Sequence, residues 1–210
     1  MRTRIKICGI TTPGDAAAAV AAGADCLGVL LAPSKRQISI DEAARVLADV
    51  PPLVARVGVF VNADAAFVAE AVERIGLTAV QFHGDETPEQ CAAVAVPVIK
   101  AFRVGTDFAL QTFEPFRATV ASLLLDTYTP DSHGGTGRVF DWSAQAGVIP
   151  GGASLILAGG LTPQNVAQAI CALHPFAVDV SSGVESAPGV KDHTAINAFV
   201  AAVRAADQEG

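Results

Sequence analysis

Short apolar runs alternate with alanine-rich, polar-flanked segments along the whole chain. The runs fall at about 4–8, 26–31, 54–61, 78–82, 97–102, 120–126, 154–158 and 176–180. Many are apolar at consecutive positions, as in Arg56-Val57-Gly58-Val59-Phe60-Val61 and Ser154-Leu155-Ile156-Leu157-Ala158. A short strand that is apolar on both faces must be covered on both faces, which is the condition of a parallel sheet under helices rather than of a half-solvated meander.

The intervening segments carry readable helix starts. Thr12-Pro13 places proline at a first helical position ahead of Asp15-Ala16-Ala17-Ala18-Ala19. Ser39 with Glu42 three residues on forms a capping-box pattern and opens a helix over 40–49. Further helices are predicted at 64–74, at 87–95 from Thr87-Pro88, briefly from Asp141, at 163–172 from Thr162-Pro163, and at about 191–206. Segment 105–118 has no clean period, since proline and phenylalanine interrupt it.

Eight strands, each followed by a crossover at a repeat of roughly 25 residues, predict an α/β fold: a (β/α)8 TIM barrel of eight parallel strands. The competing architecture is a doubly wound open sheet, but that fold puts its glycines in the first β–α turn, and here they cluster late in the chain. No Pro/Ser-rich linker divides residues 1–210, so one domain is expected.

Composition narrows the class further. Of the 210 residues 51% are hydrophobic, 17% charged and only 6% aromatic, so alanine and valine fill the core. The net charge is −7 with no lysine or arginine block, which disfavours nucleic acid as a partner. An anionic small molecule is still accommodated, because backbone N–H groups bind phosphate without net positive charge. Cys8, Cys26, Cys91 and Cys171 lack CxxC spacing and suggest neither a disulfide scaffold nor a zinc site. No apolar stretch is long enough to cross a bilayer and no export signal opens the chain, so a cytoplasmic protein without membrane contact is expected.

A barrel gathers the C-terminal ends of its strands at one mouth, so functional residues belong just after the runs. There stand Cys8-Gly9, Ser34-Lys35-Arg36, His83-Gly84-Asp85, Asp126, Gly159-Gly160 and Asp179-Val180-Ser181-Ser182-Gly183. A thiol and a carboxyl facing one small molecule are a base and an acid, although a lone cysteine is more often a small buried hydrophobe. Two glycine turns on adjacent strands point to a phosphate site at Gly159, Gly160, Ser182 and Gly183; the alternative is that they only permit positive φ. Arg36 offers a donor fork for a carboxylate, or is a solvated surface cation. His83 is a polar substrate contact or a metal ligand, and metal is disfavoured because His133, His174 and His193 end no strand. Asp179 touches substrate or holds loops. The glycine cluster His133-Gly134-Gly135-Thr136-Gly137 is either a mobile loop over the substrate or a turn packed down by Phe140 and Trp142.

Taken as an ordered set, Lys6-Ile7-Cys8-Gly9-Ile10-Thr11, Gln81-Phe82-His83-Gly84, Gly134-Gly135-Thr136-Gly137 with Phe140-Asp141-Trp142, Ala158-Gly159-Gly160-Leu161, and Asp179-Val180-Ser181-Ser182-Gly183-Val184-Glu185 resemble the phosphoribosylanthranilate isomerases. Pro188-Gly189-Val190-Lys191-Asp192 fits the same pattern. The resemblance implies a cofactor-free, metal-free isomerase of tryptophan biosynthesis that rearranges N-(5-phosphoribosyl)anthranilate to 1-(2-carboxyphenylamino)-1-deoxyribulose 5-phosphate. It places the general base on Cys8, the general acid on Asp126, the anthranilate carboxylate on Arg36, and the phosphate on Gly159, Gly160, Ser182 and Gly183. Its implied partner is a phosphorylated small molecule, with the protein a monomer or homodimer. Two other readings remain: a metal-dependent sugar-phosphate epimerase, which needs converging ligands, and a non-catalytic phosphate-binding barrel, which needs neither Cys8 nor Asp126.

Overall fold

A computed structural model of the chain describes residues 2–103, 110–126 and 154–209. The first apolar runs become β1 (Arg4–Cys8), β2 (Cys26–Leu30), β3 (Ala55–Phe60) and β4 (Ala79–Phe82). The later ones become β5 (Val98–Arg103), β6 (Ser122–Asp126), β7 (Ser154–Ala158) and β8 (Ala177–Val180). Neighbours pair in parallel in sequence order, and β1 closes against β8, so the eight strands form a complete barrel with no open edge.

Strand alternation sorts side chains between two apolar regions. On β1, Ile5 and Ile7 face the helical layer while Lys6 and Cys8 face inward; on β6, Leu123 and Leu125 face outward while Leu124 and Asp126 face inward. The lower interior is plugged by Val57, Ile99, Ala101, Leu124, Ile156 and Ala177. The second apolar region lies between barrel and helices, where buried alanines such as Ala16, Ala19 and Ala43 bring backbones close.

The helices start where their caps predict. Thr12 caps α1 (Pro13–Ala22), accepting from the Asp15 N–H at 3.1 Å. Reciprocal capping boxes open α2 (Ile40–Val46) and α4 (Pro88–Ala92), while α3 spans Ala65–Ile75. Both α2 and α4 stop short of their expected ends. Beyond α2, Pro51 pushes Val50 away from helical geometry.

Other departures bear on the site. The helix expected from Pro163 begins three residues later, as α5 (Val166–Leu173), because Thr162–Asn165 is spent on a turn. The described part of 105–118 holds a 3-10 helix, Leu110–Phe116, whose Phe113 and Phe116 pack edge-on against Phe102. After β8 come a 3-10 turn, Ser182–Val184, and a small antiparallel hairpin of β9 (Glu185–Ala187) and β10 (Val190–Lys191) that the sequence reading did not anticipate. The last helix, α6, runs His193–Glu209. The short helix from Asp141 and the glycine-rich loop 133–137 lie outside the described residues.

Candidate active site

The barrel mouth holds a cavity of about 590 Å³, within the range that encloses a small ligand. Cys8, Arg36, His83, Asp126, Asp179 and the Gly159–Gly160 and Ser182–Gly183 turns all line it. The residues expected from strand ends therefore converge, though they come from six strands and span most of the chain.

Under the cavity, Lys6 and Asp179 face each other on neighbouring strands, with Nζ 2.9 Å from Oδ2 and both side chains almost wholly buried. Burial works against the ammonium, but the Asp179 carboxylate and the Cys8 and Cys26 sulfurs together outweigh it and hold the Lys6 pKa above its ordinary value. Cys8 shares the inward face with Lys6, two residues on. Burial pushes the Cys8 thiol up, Lys6 draws it back through its charge and a side-chain hydrogen bond, and Asp179 adds to the rise. The resting thiol is consequently neutral and waits beside a cation. Gly28 on β2 makes this contact possible: a Cβ there would lie 2.9 Å from Cys8 Sγ and 3.0 Å from Lys6 Nζ.

On the other wall Asp126 ends β6, and its Oδ2 lies 3.1 Å from His83 Nε2. The ring's other nitrogen, Nδ1, lies 3.2 Å from Gln81 Nε2. Both nitrogens of His83 are thus engaged by protein groups, one of them by Asp126 itself. Arg103, at the end of β5 and in register with Asp126, lines the same wall.

Arg36 approaches from the loop after β2 and is gripped edge-on by Glu185, with Nε–Oε1 and Nη2–Oε2 both 2.7 Å. Three of its five N–H donors are left over from this fork. Glu185 also accepts from Lys191 Nζ at 2.8 Å, and Lys191 donates on to the Ser181 carbonyl at 3.1 Å. Burial opposes the Glu185 carboxylate, yet these hydrogen bonds hold its pKa below the usual range. Burial pulls the Lys191 ammonium down.

The glycine turns are shaped for a close ligand. Gly159 and Gly160 adopt φ of 88° and 64°, and Asn165 locks the turn by accepting from the Thr162 N–H at 2.8 Å and donating to the Gly160 carbonyl at 3.0 Å. A Cβ on Gly183 would collide with the Leu161 carbonyl oxygen, so the two turns abut only because residue 183 has no side chain. Ser181 makes no side-chain capping bond to the Ser182–Val184 turn, which is closed by the Val184 N–H on the Ser181 carbonyl at 3.3 Å.

Gln81, Arg103, Asn165, Glu185 and Lys191 escaped the sequence reading. Arg103 ends a strand and was visible by the rule that found Asp126. Glu185 and Lys191 lay within recognised motifs, but nothing local shows that they grip Arg36 and Ser181. Among the described residues no group of three or more histidine, cysteine, aspartate or glutamate side chains is arranged for a metal, and no helix is long and apolar enough to cross a membrane.

A closed parallel barrel whose mouth gathers a buried thiol, a histidine-bonded carboxyl and two glycine turns around one cavity defines a class: α/β barrels with a small-molecule site at the C-terminal ends of the strands. A family model for N-(5'-phosphoribosyl)anthranilate (PRA) isomerase matches residues 5–202. The chain is 48% identical over 200 residues to the N-(5'-phosphoribosyl)anthranilate isomerase of Geobacter sp. (strain M21), covering 95% of this chain and 97% of the relative. It is 50% identical over 198 residues to that of Geobacter sulfurreducens, covering 94% and 96%. Among solved structures, phosphoribosyl anthranilate isomerase from Thermotoga maritima superposes with a TM-score of 0.87 at 42% identity, over 97% of this chain and 99% of that one. The chain belongs to the N-(5'-phosphoribosyl)anthranilate isomerase family, and it is an isomerase of tryptophan biosynthesis.

Proposed function

We propose that this pocket rearranges N-(5-phosphoribosyl)anthranilate to 1-(2-carboxyphenylamino)-1-deoxyribulose 5-phosphate, with Asp126 as general acid and Cys8 as general base. The observation that carries it is the placement of these two groups on one cavity that the Gly159–Gly160 and Ser182–Gly183 turns also line. A solved phosphoribosyl anthranilate isomerase at 40% identity, TM-score 0.84, was determined with reduced 1-(O-carboxyphenylamino)-1-deoxyribulose 5-phosphate, a phosphorylated ligand of the same kind.

The phosphate sits on the backbone N–H groups of the two turns, and the anthranilate carboxylate meets the remaining N–H edge of Arg36, which Glu185 holds in orientation. Asp126 gives its proton to the ribose ring oxygen as the C1′–O bond breaks, leaving an iminium ion. Cys8 removes the C2′ proton, and the resulting enolamine tautomerises to the ketone. The base is neutral at rest because burial outweighs Lys6. The iminium adds a second positive charge near Sγ, which favours loss of the thiol proton to solvent and so forms the thiolate that accepts the C2′ proton. Each group contributes roughly 10²–10⁴ in rate. Asp179 supports the base by balancing Lys6, and it also lines the cavity that receives the substrate. The protein works as a monomer or homodimer; a neighbouring solved structure concerns engineered monomers of the dimeric enzyme of Thermotoga maritima.

The test is loss of substrate fluorescence with freshly generated phosphoribosylanthranilate. Cys8→Ala and Asp126→Asn are expected to abolish turnover while still binding product, and a chelator to leave the wild-type rate unchanged. Full activity in either variant would remove that residue from its role.

A further inference from the structure

Gln81 is a polar side chain in an apolar place. It is 2% exposed, faces inward on β4 and has Val59 among its neighbours on the cavity wall. Its amide nitrogen meets His83 Nδ1, while its Oε1 is buried without a hydrogen-bond partner among the described residues. A half-satisfied buried amide costs stability, so its presence calls for a reason.

We propose that Gln81 is a positioning residue that governs, through His83, whether the Asp126 carboxyl holds its proton, so that the acid is the His83–Asp126 pair sharing one proton. The inference rests on Asp126 being the general acid. With the amide nitrogen toward the ring, Nδ1 must present a lone pair, so the neutral imidazole carries its hydrogen on Nε2 and donates it to Asp126 Oδ2. That is the pattern of a carboxylate. When the pair gains a proton, either Asp126 donates to Nε2 and Nδ1 carries the ring hydrogen, or the ring is a cation; in both cases Nδ1–H needs an acceptor. A half-turn of the Gln81 amide supplies it, because the carbonyl and amino ends have nearly the same shape. Oε1 makes no hydrogen bond that the turn would break. Oxygen-inward favours the protonated pair and nitrogen-inward the deprotonated one.

Among the described residues, the other charges near this pair do not change when Gln81 does. Arg103 stands beside Asp126 on β5, and β7 brings Ala158, followed by Gly159, to the other side. Across the cavity lie Cys8, the Lys6–Asp179 pair and the Arg36–Glu185 fork.

The experiment is the pH profile of kcat/KM for wild type, Gln81→Glu and Gln81→Met. An acid must be protonated to act, so activity falls with rising pH through the pair's apparent pKa. Gln81→Glu offers acceptors while ionised, stabilises Nδ1–H, and is expected to move that alkaline limb up by about one pH unit; Gln81→Met offers neither donor nor acceptor, so both protonation states lose their partner and kcat is expected to fall with the limb near its wild-type position. Lower kcat with the limb unmoved in Gln81→Glu would overturn the proposal. Should a variant fail to fold, ¹⁵N-histidine NMR of the wild type decides: Nδ1 of His83 gains a proton as the pH falls through the limb, and an Nδ1 unprotonated throughout overturns it. An active wild type with the limb unmoved in Gln81→Glu sinks this inference alone, whereas full turnover by Asp126→Asn sinks the acid assignment and the inference with it.

Discussion

Lys6 and Asp179, 173 residues apart in sequence, form a buried ion pair of 2.9 Å directly under the Cys8 thiol. The pair supplies the thiol with a cation whose own charge is balanced when the site is empty. Asp179→Asn removes both the balance and the anion that helps keep the Cys8 pKa high, so the thiol becomes more acidic. Iodoacetamide alkylation against pH is expected to show a lower midpoint, and Lys6→Met a higher one. Either change strands a buried charge and costs about 3–5 kcal/mol in unfolding free energy. Unchanged alkylation midpoints in both variants would separate Lys6 from the ionisation of Cys8.

The buried Cys8 thiol and the half-buried Cys26 thiol make the fold sensitive to alkali. Burial pushes Cys26 up to about 12 and raises Cys8 as well. A thiol whose folded pKa is raised contributes stability that is complete below its unfolded pKa, near ~8.5, and is lost as the pH climbs through the folded value. Thermal unfolding under reducing conditions is expected to show Tm declining between about pH 9 and 12, with a shallower decline in Cys26→Ala.

Glu185 acts at the opposite end of the scale. Its depressed pKa means that the stability it contributes is present above its unfolded value, near ~4.3, and disappears as the pH falls through the lower folded value. Glu185→Gln is expected to flatten that acid-side loss. It also releases Arg36 and Lys191 from their shared carboxylate, so KM should rise more than kcat falls. A KM equal to wild type would show that Arg36 needs no orienting partner.

Gly183 leaves no room for a Cβ against the Leu161 carbonyl. Gly183→Ala must push the two phosphate turns apart. Inhibition by inorganic phosphate is expected to weaken at least tenfold, a loss of about 1.4 kcal/mol. Undiminished inhibition would place the phosphate elsewhere. Gly160→Ala is the milder comparison, since a Cβ there meets open space and only the positive φ resists it.

Several elements were legible because their causes are local. Thr12, Ser39 and Thr87 announce helices since a cap is made by residues two to three apart. Cys8 and Asp126 stood out as polar or reactive residues closing apolar runs. Asn165 was missed for the opposite reason: Thr162-Pro163 is a good start signal, but Asn165 does more for the chain by closing the Gly160 turn, and α5 begins after it. His83 lines the cavity, as a substrate contact at a strand end would, but nothing local in the sequence shows that Asp126, 43 residues on, is also its partner.

The order of the eight barrel strands, the barrel class and the family are legible in the sequence, since continuous apolar runs, caps and motif spacing are properties of neighbouring residues. Only the tertiary structure decided the electrostatics: that Lys6 is balanced by Asp179, that Arg36 and Lys191 share Glu185, and that Gln81 reaches Asp126 through His83. Barrel closure joins β1 to β8 and sets those partners across the ring. A charge interaction depends on distance and burial, and both are fixed only when distant strand ends meet.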